Sequence, residues 1–156
     1  MKDTLVMRKR ASDNKYLHKD FHGALSCGIE YLRKHYGAAV VARYLKTFTK
    51  SYYAPLRQQI KKEGLKAIKK YFQKIYKNEG GMVEFKESKD KLIINVKKCP
   101  AISHMKSKKY SVSPLFCETT RIMNEAICEG AFIDSKLVKH DINRGRCLQI
   151  FVRRTS

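Results

Sequence analysis

Residues 99–130 hold Cys99, His104, Cys117, Asn124 and Cys128. A thiol becomes a nucleophile when a base or a helix dipole lowers its pKa, so Cys99, placed where a strand should end before Pro100, is a candidate for covalent chemistry. His104, five residues on, is a candidate base for it. On a helix begun at Pro114, Cys117, Arg121, Asn124 and Cys128 follow one another at i, i+4, i+7 and i+11 and share a face. Cys117 would then lie near the helix N-terminus, where the dipole favours a thiolate. Arg121 could hold a carboxylate through a bidentate pair, and Asn124 could orient a carbonyl or amidine. The opposing reading makes the cysteines small core residues and Arg121 a surface charge.

His18 and His22 stand four residues apart, a spacing that suits a metal pair. The HExxH pattern is absent and no second cluster shows ligand spacing, so no metal is assigned. The pair could instead line a pocket as proton-transfer or hydrogen-bonding groups. Tyr52 and Tyr53 precede Pro55 at a helix junction and could wall the same pocket, although tyrosines there more often serve the core. P-loop, GxGxxG and GxSxG patterns are missing, which argues against nucleotide hydrolysis, Rossmann chemistry and the usual esterase arrangement. No cofactor is indicated.

The elements that must place these residues follow from periodicity. Residues 1–14 are polar and basic and read as a loose arm, leaving 15–156 as one α+β domain. The first helix should run from Lys15 to His35, with Leu17, Phe21, Leu25, Ile29 and Leu32 on one stripe and Gly37 as its cap. A second should cover Ala38 to Ser51 with Val41, Tyr44, Leu45 and Phe48 inward. A third should run from Pro55 to Lys77, burying Leu65, Ile68, Phe72 and Ile75 beneath a wet face of lysines. After Gly80-Gly81, Met82–Glu87 and Lys91–Cys99 read as a hairpin, with Leu92, Ile94 and Val96 on one face. Residues 101–112 read as a polar connection. A helix from Pro114 to Glu129 and a hairpin of Ala131–Lys139 with Arg146–Arg153 complete the chain, Cys147, Gln149 and Phe151 sharing one strand face. The order predicts N-terminal helices, then two β-hairpins separated by a helix, in an antiparallel sheet packed against helices.

The chain has 156 residues and a formal charge of +20, with 19 Lys/Arg against 6 acids in residues 1–80 and 15 against 8 thereafter. Such a field attracts anions, and a small anionic molecule is the expected partner. The lysines fall at helix-surface spacing without a nucleic-acid motif, which argues against a nucleic-acid partner. No apolar run approaches the ~20 residues that span a bilayer, and the N-terminus shows no signal-peptide core. Five cysteines without a CxxC pair read as reduced thiols. A cytoplasmic location is therefore expected, and a homodimer is an allowed assembly.

Several runs together carry a resemblance: 18–25 (HKDFHGAL), 52–56 (YYAPL), 99–104 (CPAISH), 116–120 (FCETT), 124–128 (NEAIC) and 145–151 (GRCLQIF). Over residues 15–153 the chain resembles the L-2-amino-thiazoline-4-carboxylic acid hydrolase-like family. The Gly-x-Cys ending in an alternating strand is similar to the 4-vinyl reductase domain group, whose α/β fold takes small hydrophobic ligands. The resemblance implies hydrolytic opening of a thiazoline C=N bond in a small cyclic acid. Cys99 or Cys117 would be the nucleophile, His104 or His22 the proton carrier and Arg121 the carboxylate holder. His18, Tyr52, Asn124 and Cys147 would complete the substrate contacts. A non-catalytic ligand-binding or sensory module of the same fold is the alternative.

Overall fold

The computed structural model describes residues 19–154. His18, Leu17 and the expected basic arm lie outside the described residues. Six helices and four strands are present among the described residues: α1 Phe21–Tyr36, α2 Ala38–Tyr52, α3 Ala54–Glu63, α4 Leu65–Glu79, β1 Met82–Glu87, β2 Lys91–Lys98, α5 Pro100–Ser107, α6 Glu118–Cys128, β3 Ile133–Asp141 and β4 Arg146–Arg153. The strands form one antiparallel sheet in the order β1-β2-β4-β3, with helices packed on it, as the sequence predicts.

Period-two alternation decides which sheet face is covered. Leu92, Ile94 and Val96 of β2 oppose Phe151, Gln149 and Cys147 of β4, so all six side chains share the face toward the helices. Leu92, Ile94, Val96, Gln149 and Phe151 are buried. Ile60, Leu65, Ile68 and Phe72 from α3 and α4, with Ile127 and Cys128 from α6, close over them as one apolar cluster. A second cluster joins Ile29, Val41 and Leu45 of α1 and α2 to Ile102 and Met105 of α5 and to Phe116 and Ile122. Cys99 packs against both clusters.

Four expectations need correction. The long third helix is two, because Gly64 adopts φ 64°, ψ −136° and breaks the hydrogen-bond ladder between α3 and α4. The connection after Pro100 is not irregular. Pro100 ends the strand but also fills the first helical position of α5, whose Ala101, Ile102 and Met105 are buried. The last long helix begins at Glu118, with Cys117 as its N-cap, and residues 114–117 turn before it. The inward stripes are narrower than the spacing implied: Phe21 is 57% and Tyr44 46% exposed, while Ile29, Val41 and Leu45 are buried.

Candidate functional site

The covered face of β4 carries a buried glutamine between a cysteine and a phenylalanine. The Gln149 side chain has no solvent exposure and must find its hydrogen bonds inside the protein. Its Oε1 accepts from Asn124 Nδ2 of α6 at 2.9 Å. Its Nε2 donates to the Tyr76 hydroxyl of α4 at 3.2 Å and to Cys147 Sγ at 3.3 Å. One side chain therefore ties α4, α6 and the sheet together. Asn124 is 1% exposed, and its Oδ1 has no hydrogen-bond partner among the described residues.

Three thiols gather beside this pair. Cys99 stands where β2 passes into α5, its N–H donating to Gly145 O at 2.7 Å. Gly145 has φ 62°, and a side chain there would meet Ile102 at 3.3 Å and Cys99 Cβ at 3.6 Å. The glycine thus lets the β3–β4 turn close over the strand end. Cys99 acts electrostatically on Cys117 and Cys147, Cys147 acts on Cys117, and both Cys147 and Cys99 act on Tyr76. All three keep some solvent exposure.

Burial dominates their acidity. It pushes the Cys117 thiol up to about 12, with Cys99, Cys147 and Glu118 adding to the effect. The same desolvation raises Cys147 to about 11, against the hydrogen bond from Gln149. Cys99 is raised by desolvation, although the Ile102 and Ala101 N–H groups work the other way. Cys117 is the N-cap of α6, where loss of hydration pushes its thiol up, opposite to the direction the helix dipole favours. Burial likewise raises Tyr76.

Glu79, the last residue of α4, is 8% exposed. It accepts from His22 Nε2 at 2.9 Å, and its charge reaches Cys99 and Tyr76. His22 therefore meets the thiol cluster through a carboxylate.

Other sequence candidates stand apart. His104 Nε2 is 2.9 Å from Asp20 Oδ1, which also accepts from Tyr110 OH at 3.1 Å, so His104 is committed to the start of α1. Arg121 donates to Glu118 at 2.8 Å and to Glu125 at 2.9 Å. Its long side chain leaves the shared face for its own i−3 and i+4 neighbours. Tyr52 is 39% exposed and stacks on Phe48 with centroids 5.3 Å apart. Cys128 is buried in the apolar cluster, its thiol raised by burial to about 12.

Tyr76, Glu79 and Gln149 were not singled out by residue type. A signal existed for Gln149, since a glutamine alternating with Cys147 and Phe151 on a core-facing strand requires an internal partner. Glu79 immediately before Gly80-Gly81 resembles a surface charge, and only packing shows otherwise.

Among the described residues no three His, Cys, Asp or Glu side chains are arranged to hold a metal ion. No helix among them is long and apolar enough to cross a membrane. Two surface grooves of about 410 and 500 Å³ lie elsewhere, one between α4 and β1, the other between the end of α6 and β3. No family model, curated protein or solved structure matches the chain. The likeness to the thiazoline hydrolase-like family therefore rests on the sequence runs alone.

Proposed function

We propose that the chain is a small-ligand-binding module whose seat is the buried polar cluster of Tyr76, Asn124, Cys147 and Gln149, with Cys99 and Cys117 beside it. The observation that carries this reading is the unpartnered Asn124 Oδ1. A buried carbonyl without a donor carries a penalty of about 1–3 kcal/mol, which a bound N–H or O–H group would remove. Neutral thiols and a phenol around it offer weak donors and a polarisable wall. The ligand is accordingly small and polar, and donates at least one hydrogen bond.

Thiazoline hydrolysis, which the resemblance implies, is supported less well. It needs an attacking water or thiolate and a proton carrier, whereas burial favours the protonated thiols and His104 is engaged by Asp20. Glu79 with His22 is the pair nearest to supplying a base, and it approaches Cys99. Five unpaired thiols fit a reducing compartment, which supports a cytoplasmic setting.

Ligand-observed NMR with small polar fragments tests the reading. Fragments that bind the parent chain and fail to bind a folded Asn124→Leu/Gln149→Leu variant would support it. No binding, or equal binding to both proteins, would overturn it. Steady hydrolysis of a thiazoline carboxylate, abolished by Cys99→Ala, would replace it with the catalytic reading.

A further inference from the structure

The acids of this protein are unevenly placed. Glu30 serves Arg33 and Lys34 on α1. Glu129 draws Lys46 and Lys50, while Glu118 and Glu125 hold Arg121. On the sheet, Glu84 meets Lys97 and Asp134 meets Arg154. The outer side of α3 and α4 differs. Lys61, Lys62, Lys66, Lys70, Lys74 and Lys77 are exposed, and none forms an ion pair among the described residues. Lys69 is drawn away to Glu87, at 2.7 Å. Glu63 is the single exposed acid of these two helices, since Glu79 is buried.

On α4, Lys66, Lys70, Lys74 and Lys77 succeed one another at i, i+4, i+8 and i+11, so they form one row about 16 Å long. Like charges at this spacing oppose the helix that carries them. Lys66 also falls in the first turn, where the helix dipole disfavours a cation. Arg153 of β4 extends the row, its Nη2 lying 3.4 Å from the point where a Gly64 side chain would begin.

We infer that this row is a docking surface for the phosphodiester backbone of nucleic acid. Duplex DNA carries roughly one negative charge per 1.7 Å of axis, so a row of this length overlies enough phosphates to engage every lysine. Lysines spaced along one helix face neutralise phosphates as flexible point charges, so the contact is with the backbone and is independent of sequence. The lysines look scattered in the sequence; the surface becomes visible only once the acids are seen to neutralise other faces. The inference does not depend on the interior ligand seat.

Fluorescence anisotropy with a short single strand and a short duplex, between roughly 50 and 200 mM salt, tests it. The expected result is salt-dependent binding to at least one of them, indifferent to base sequence. In a Lys66→Gln/Lys70→Gln/Lys74→Gln/Lys77→Gln variant with unchanged circular dichroism, the log–log salt slope should fall by about 3 to 4. A control variant with the same charge change, Lys108→Gln/Lys109→Gln/Lys136→Gln/Lys139→Gln, should keep most of the parent slope. Absence of binding, or equal losses in the two variants, would overturn the proposal. So would tighter binding to phosphatidylserine-containing vesicles that requires the same four lysines.

Discussion

Asn124 of α6 donates its side-chain N–H to Gln149 Oε1 of β4 at 2.9 Å, with both residues shielded from solvent. Their bond crosses from helix to sheet, and Gln149 carries it on to the Tyr76 hydroxyl of α4. Buried polar pairs of this kind fix the relative placement of two elements, because each partner is unsatisfied in any other packing.

Gln149→Leu should therefore destabilise the protein by about 1–3 kcal/mol, since Asn124 Nδ2 loses its acceptor within the core. Asn124→Leu/Gln149→Leu should recover part of that loss, as both polar groups are removed together. Urea midpoints measure both changes. A Gln149→Leu protein as stable as the parent would show that the pair does not join the two elements.

Thiol reactivity follows from burial. At neutral pH iodoacetamide should modify exposed Cys27 before Cys117 and Cys147, whose thiols are raised to about 12 and about 11. A thiol raised on folding contributes stability that is complete below its ordinary value near 9 and disappears as pH climbs through the folded value. Stability should accordingly fall between about pH 9 and 12, and Cys117→Ala should make that fall shallower. Fast labelling of Cys117 at pH 7 would contradict this.

The acid side has its own marker. Glu30 is lowered to about 2, first by the hydrogen bond from Arg33 and also by that from Ser113 Oγ. A lowered carboxyl contributes stability that is present above its ordinary value near 4.5 and is lost as pH falls toward 2. Glu30→Gln should flatten the stability profile in that window, measured as thermal midpoint against pH. An unchanged profile would remove Glu30 from acid unfolding.

Gly81 occupies a position without room for a side chain. A Cβ there would lie 2.8 Å from Tyr76 Cδ1, 3.0 Å from Pro100 Cδ and 3.3 Å from Lys98 O. Gly81→Ala should cost about 1–3 kcal/mol through overpacking and should displace Tyr76 from Gln149. Thermal unfolding measures the first effect, and the chemical shift of the Gln149 side-chain amide the second. A variant with the parent midpoint would show that the backbone yields without moving the ring.

The sheet was legible in the sequence because period-two alternation marked Leu92, Ile94 and Val96, and Cys147, Gln149 and Phe151, as core-facing sets. The break at Gly64 was not, because the lysine pattern continues across it and only the backbone angle interrupts the ladder. α5 was hidden by Ser103, His104, Lys106 and Ser107, which make up half of a helix only eight residues long. Cys99, Cys117 and Cys147 could be named individually as candidates, since thiols near element ends are readable. Their meeting with Tyr76 and Gln149 depends on α4, α6 and β4 packing together, which spacing along one element does not encode. The partner of His104 was invisible for the same reason, since Asp20 is distant in sequence; Glu118 and Glu125, at i−3 and i+4 of Arg121, were readable from spacing along α6.

The most direct test of the ligand seat is alkylation of the thiols at about pH 9, followed residue by residue, with and without a fragment that binds the parent chain. The account predicts that the fragment slows Cys99, Cys117 and Cys147 together while exposed Cys27 reacts at its unchanged rate. Unaltered rates at all three, or protection of only one, would contradict a common seat.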